Sequence, residues 1–141
     1  MKYIITENQL ERLSQEEKIL ELPSLLFFNN DWNLLQKYLE KKGNPKYSIE
    51  GGLNLYKTSI ESLGNLTSVG GSLLLRDTPI KSIGNLTSVG GGLDLGNTQI
   101  KSLGNLTSVG GDLNLKFSPL SIIYTEEKIR NMVEVTGKIY M

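Results

Sequence analysis

Residues 68–75, SVGGSLLL, decide the fold, because the string returns as SVGGGLDL at 88–95 and SVGGDLNL at 108–115. Each copy follows Ser-(Leu or Ile)-Gly-Asn-Leu-Thr, so the chain repeats at a strict 20-residue period. With the glycine pair as frame, the repeats are anchored at Ile49, Val69, Val89 and Val109. An apolar alternation follows each anchor: Leu53 and Leu55, Leu73 and Leu75, Leu93 and Leu95, Leu113 and Leu115. Thr-x-Ile comes next, at Thr58 and Ile60, Thr78 and Ile80, and Thr98 and Ile100, decaying to Ser118 and Leu120. Self-similarity at such a period marks a stacked-repeat architecture.

Within a repeat, Leu-x-Leu alternates as one short strand with its leucines inward. The three-residue steps through Ile80, Ile83, Leu86 and Val89 suit a 3₁₀ or extended return. Twenty residues thus make one coil of a solenoid, with successive strands parallel and about 4.8 Å apart. One coil buries too little to fold alone, so such units come in series with capped ends. A fifth repeat is expected in VTGKIYM, residues 135–141, with Val135 as anchor and Ile139 and Met141 as the apolar pair. It follows Val109 by 26 residues because TEEKIRNMV replaces the return; Thr125 caps a short helix there, with two acids in its first turn. The chain is then expected to finish on an edge strand.

Residues 1–44 differ in kind and read as a helical N-terminal cap. Thr6 is placed to cap a helix from about Glu7 to Leu20, Pro23 interrupts, and Asn30 or Asp31 caps a second helix, DWNLLQKYLEKK, that stops at Gly43. Trp32, Leu35 and Leu39 lie on one face of that helix, with Leu34 and Tyr38 alongside, and are expected to cover the open end of the first repeat. The organisation is one domain: cap 1–44, repeats 45–121, and a C-terminal cap of short helix and fifth repeat, 122–141.

Fifteen basic and fifteen acidic residues cancel, so no global field draws nucleic acid or an anionic membrane. Cysteine and histidine are both absent, which removes thiolate chemistry, the usual neutral-pH base and most zinc geometries. No catalytic residue, metal site or cofactor is expected. MKYIITENQLERLSQEEK lacks the apolar core of a secretory signal, and Leu25-Leu26-Phe27-Phe28 is too short to span a bilayer. A soluble, cytoplasmic protein with no nucleic-acid or membrane partner is expected.

The pattern L-x-L-x-x-T-x-I-x-x-L-x-x-L resembles the leucine-rich repeat, whose core is L-x-x-L-x-L-x-x-N-x-L, in the short form of bacterial and phage proteins. The resemblance covers residues 46–121 and the degenerate copy at 135–141. It implies a right-handed, curved solenoid with one parallel β-sheet on the concave side, a convex side mostly 3₁₀ or extended, and binding of other proteins through the sheet. Departures are visible: Thr58, Thr78, Thr98 and Ser118 stand where the family has Asn, the segment before the strand is one residue longer, and the repeat is short. Slight curvature is therefore expected.

Several stretches invite chemistry and read better as structure. The glycine pair lacks the G-x-x-x-x-G-K-(S/T) phosphate signature and precedes a strand. It is expected to be a turn with φ > 0, and the second glycine (Gly51, Gly71, Gly91, Gly111) is expected to be the demanding one, since Glu50 replaces the first. Asn65, Asn85 and Asn105 sit in Asn-Leu-Thr sequons, and their amides are expected to satisfy backbone groups in the return turn. The Thr58, Thr78, Thr98 and Thr67, Thr87, Thr107 columns resemble those of ice-binding solenoids. Asp94 and Asp112 fall on adjacent strands, diagonal neighbours roughly 7 Å apart, with no implied pocket.

What varies among the repeats is the outward side of the Leu-x-Leu strand and its exit, while the return hardly changes. The expected partner-binding residues are therefore Tyr56, Ser72, Leu74, Arg76, Asp94, Asp112, Asn114, Lys116 and Tyr140, a set containing the aromatic and Arg anchors common at interfaces. The expected function is a non-enzymatic module that binds a protein through this face. Two readings stay open: a structural component that self-associates through its ends or edge strand, and an ice- or glycan-binding solenoid.

Overall fold

The computed structural model describes residues 19–141. The helix expected from Glu7, with Thr6 as its cap, lies outside the described residues except at its end, where Leu20 is extended instead. Leu20–Leu22 form β1, which pairs in parallel with β2 (Tyr47–Ile49), Leu20 beside Tyr47 and Leu22 beside Ile49.

One parallel sheet is expected from the sequence; two are present. Each internal repeat contributes a strand to both. The first set is β4 (Leu66–Val69), β6 (Ser88–Val89) and β8 (Ser108–Val109); the second is β3 (Leu53–Asn54), β5 (Leu73–Leu74), β7 (Leu93–Asp94) and β9 (Leu113–Asn114). With β10 (Glu134–Val135) and β11 (Ile139–Tyr140) from the last repeat, the sheet orders are β1-β2-β4-β6-β8-β10 and β11-β9-β7-β5-β3. The register is the sequence period itself, Val69 beside Val89 beside Val109 and Leu73 beside Leu93 beside Leu113. The extra sheet arises because the Thr-Ser-Val stretch is itself extended: Thr67, Thr87 and Thr107 each donate a hydroxyl hydrogen bond, 2.9–3.1 Å, to the preceding repeat's Tyr47, Thr67 and Thr87 carbonyls. Val is thus a strand residue and not merely a turn anchor.

The core is one cluster containing the expected Ile, Leu and Val positions of the repeats over 45–121, with Leu66, Leu73, Leu75, Ile80 and Leu86 fully buried; Met141 of the fifth repeat is only partly buried against it. Extended chain and turns make the return from Thr58 to Asn65, with no 3₁₀ helix in it. The only 3₁₀ helix among the described residues is Leu25–Phe28. Thr58, Thr78, Thr98 and Ser118 donate to the carbonyls of Leu55, Leu75, Leu95 and Leu115 at 2.6–2.7 Å, so the hydroxyl in the family's Asn position closes each strand exit within its own repeat.

Helix α1, Trp32–Lys41, is capped by Asp31, whose carboxylate accepts from the Leu34 N–H at 3.1 Å. Leu35 and Leu39 are buried, Trp32 and Tyr38 pack against the core from its margin, and Leu34 is exposed. Gln36 on the helix donates to the hydroxyl of Tyr47, which itself donates to the Leu63 carbonyl at 2.7 Å. Burial pushes the Tyr47 phenol above its ordinary pKa, so this link carries a neutral hydroxyl. At the other end, α2 (Leu120–Ile123) crosses the expected cap boundary, and α3 (Glu126–Met132) starts where expected, with Thr125 accepting from the Lys128 N–H at 3.2 Å.

The N-terminal region is a further degenerate repeat. Aligning Leu22 with Ile49 puts Pro23 and Ser24 at the glycine pair, and Leu26 and Phe28 at Leu53 and Leu55. Where a strand would extend the second sheet, the chain makes the 3₁₀ turn Leu25–Phe28 and buries Leu25 and Phe28. That is why the sheets have six and five strands.

The glycine expectation needs correcting. None of Gly70, Gly71, Gly90 or Gly91 has a positive φ; the left-handed glycines of the repeats are Gly64, Gly84 and Gly104, at φ 62°, 57° and 53°. The pair is glycine because backbones touch there. A Cβ on Gly70 would run into the Glu50 carbonyl oxygen, and one on Gly90 or Gly110 would meet the carbonyl of the glycine one repeat back. A Cβ on Gly71 would lie 2.7 Å from the Gly52 nitrogen, while one on Gly51 would meet the Pro23 oxygen at 3.2 Å, a tight contact that a small shift relieves. The first glycine, not the second, is the more constrained inside the array. Gly70→Ala is therefore expected to lower the unfolding free energy by on the order of 2–3 kcal/mol, and by more than Gly71→Ala. Urea unfolding of the two variants checks the order.

Candidate functional site

The nine expected partner-binding residues all belong to one face. Pairing sets Asn54, Leu74, Asp94, Asn114 and Tyr140 side by side in one row across the five-stranded sheet. Four steps of about 4.8 Å make that row roughly 19 Å long. Tyr56, Arg76, Gly96 and Lys116 form a second row, bonded through Lys57 N–H to Arg76 O, Asp77 N–H to Gly96 O, and Asn97 N–H to Lys116 O. Ser72, Gly92, Asp112 and Lys138 line the other side, their carbonyls accepting from Leu53, Leu73, Leu93 and Leu113. Because side chains alternate along a strand, residues 53, 55 and their equivalents go to the core and this set stays outside.

Much of the outward chemistry is already committed. The side-chain oxygens of Asn54, Asp94 and Asn114 accept from the backbone N–H two residues on, of Tyr56, Gly96 and Lys116, at 2.9–3.1 Å. This Asx arrangement shapes the strand exit, so three residues that differ among repeats perform one structural task. Asp94 also pairs with Arg76, Nε to Oδ2 at 3.2 Å. Ser72 Oγ and Asp112 Oδ1 accept from the next repeat's backbone, the Gly92 and Lys138 N–H groups, at 3.0 and 2.8 Å. Asp94 and Asp112 are thus bound to different partners and do not act as a carboxylate pair.

Two members of the central row have no such task. Leu74 interrupts the Asx series with an apolar, half-buried side chain, and Tyr140 is 38% exposed beneath the Lys116 ammonium, 5.7 Å from the ring centroid. Tyr56 is exposed, with Lys57 over its ring at 5.1 Å. Leu74 borders an open depression of about 630 Å³ together with Leu25, Leu26, Asn30, Asn54 and Ser72. Leu26 and Asn30 are absent from the expected face; the signal for them was the apolar run 25–28 in a degenerate Leu-x-Leu position, with Leu26 69% exposed.

The other singled-out residues are structural. Asn65 donates to the Asn44 carbonyl at 2.7 Å, as expected of a turn amide, whereas Asn85 donates to the Asn65 side-chain oxygen at 3.2 Å, a side-chain ladder in place of a backbone bond. Asn105 sits in the same turn one repeat on. Thr78 and Thr98 are buried, so that column presents no outward hydroxyl row. Among the described residues no group of three or more Asp or Glu could hold a metal ion, and no helix is long and apolar enough to cross a membrane.

The strand exit imposes a cost on the face. Lys57, Asp77, Asn97 and Phe117 share one left-handed position, at φ 56°, 59°, 49° and 61°. Asp and Asn tolerate it; Lys and Phe are strained there. No family model matches the chain, and no curated protein and no solved structure matches it. Phe117 is 78% exposed and buries little, so Phe117→Asn is expected to raise stability by about 1 kcal/mol, read as a higher denaturant midpoint with unchanged slope.

Proposed function

We propose that this chain is a leucine-rich-repeat-type solenoid, and that it binds a protein partner, without catalysis, through the exposed face of the five-stranded sheet. One observation carries the reading: Leu74 leaves the Asx series that Asn54, Asp94 and Asn114 follow, and leaves an apolar side chain at the rim of a depression opposite exposed Leu26. An Asx residue at that position would serve the strand exit as its neighbours do, so the leucine has no reason in the repeat itself.

The surroundings support the same use. Tyr56 and Arg76 flank Leu74, Tyr140 stands three strands away at the far end of the row, and Tyr and Arg are the side chains that most often carry interface energy. Arg76 is pre-positioned by Asp94, which lowers the ordering cost of using it in a contact. The corresponding row of the opposite sheet is Glu21, Ser48, Ser68, Ser88, Ser108 and Glu134, with no aromatic, Arg or apolar anchor in it. The partner is a protein surface with an apolar protrusion and an acidic or carbonyl-rich rim.

Alanine at Tyr56, Leu74 and Arg76 together is expected to abolish partner recovery in a pull-down from host lysate. Ser88→Ala on the other sheet is expected to leave recovery as in the wild type. Partner recovery by the folded triple variant at the wild-type level would remove the assignment to this face.

A further inference from the structure

At the glycine corner the six-stranded sheet continues from repeat to repeat through a pair of hydrogen bonds, beside strand bonds such as Thr87 N–H to the Thr67 carbonyl and Thr107 N–H to the Thr87 carbonyl, both at 2.7 Å. The first position donates to the anchor carbonyl one repeat back: Gly70 to Ile49, Gly90 to Val69, Gly110 to Val89 and Thr136 to Val109, at 2.8–3.0 Å. The next position donates to its equivalent: Gly71 to Gly51, Gly91 to Gly71, Gly111 to Gly91 and Gly137 to Gly111, at 2.9–3.0 Å. A sixth repeat in this direction would thus donate to the carbonyls of Val135 and Gly137.

Those two carbonyls already have donors. Arg130, on α3, donates from Nη1 to the Val135 oxygen and from Nη2 to the Gly137 oxygen, both at 3.0 Å. Its guanidinium is held from the other side by Glu126, one turn earlier, with Nε and Nη2 at 3.4 and 3.3 Å from Oε1. A planar fork with fixed donor spacing can occupy two acceptors at once. At the opposite end, the position corresponding to Gly70 is Pro23, beside Leu22 and Pro23 carbonyls that accept from Glu50 and Gly51. Proline has no N–H, so the first of the two corner donors that would engage a preceding repeat is missing.

We infer that Arg130 and Pro23 are matched terminators that close the two ends of the six-stranded sheet against head-to-tail pairing with a second copy of this chain. Open ends of a parallel array are complementary to one another, and their contact is heterologous and does not close. One end has both corner acceptors taken and the other lacks one of its two corner donors. This inference concerns the ends and stands apart from binding at the sheet face.

Sedimentation velocity on the full chain over a wide concentration range tests it. The wild type is expected to remain at its monomer mass of 15.6 kDa throughout. Arg130→Met combined with Pro23→Ala is expected to give oligomers that grow with concentration, and either single variant less. Arg130→Lys, which reaches one carbonyl at most, replaces Arg130→Met if the latter loses its far-UV circular dichroism. A folded double variant that stays monomeric at every concentration would overturn the inference, and so would a wild type that self-associates.

Discussion

Backbone contact at the glycine corner is the constraint on which the rest depends. The carbonyl oxygen of Glu50, Gly70 or Gly90 lies where the next repeat's first glycine would carry its Cβ. Inside the array Gly70, Gly90 and Gly110 lack that atom and reach the anchor carbonyls at 2.8–2.9 Å; in the outer repeats Glu50 and Thr136 make the equivalent bond with a Cβ, at 2.9 and 3.0 Å. The same approach sets the register of both sheets, because the corner joins the Ser-Val strand to the Leu-x-Leu strand. Every buried leucine then stacks on its equivalent one repeat away, and dispersion and area burial follow from that alignment.

A repeat that pairs with itself leaves two problems, the polar groups at each strand exit and the two ends. The exits are solved locally, by Thr or Ser hydroxyls on one side and Asx side chains on the other. The ends are solved by departures from the repeat: a 3₁₀ turn and α1 at one, α3 and the Arg130 fork at the other. Both terminal repeats replace the standard return with a helix, which explains their longer spacings. The Tyr47 hydroxyl ties the first full repeat to α1 through Gln36.

This division of labour alters how variability among the repeats is understood. Asp94 stands where Asn54 and Asn114 are asparagine, yet each of the three supplies an oxygen to an N–H two residues on. Variation there is tolerated exchange among residues able to do one job. Ser72 and Asp112 likewise serve the neighbouring backbone. Set against that background, Leu74, Tyr56 and Tyr140 are the side chains with no internal duty, and the face narrows from nine residues to Leu74 and Tyr56 toward the N-terminal end and Tyr140 on the last strand.

The sequence by itself determined the period, the inward positions, the parallel pairing of equivalent residues, the cap at Thr125, and the fifth repeat, and it narrowed the cap of α1 to Asn30 or Asp31, of which the structure uses Asp31. Each is a local or periodic property, set by alternation and by side chains bonding their own neighbours. It also placed all nine face residues on one side, since alternation assigns side without reference to anything distant. Tertiary structure alone decided the second sheet, the strand character of Leu20–Leu22, which glycine of the pair is constrained, and which outward side chains are occupied. Those depend on what lies one repeat away through space: a carbonyl against a missing Cβ, a hydroxyl reaching back twenty residues, a guanidinium on the Val135 and Gly137 carbonyls. Period and alternation say which residues become neighbours, while distance and direction between their backbones say what those neighbours must be.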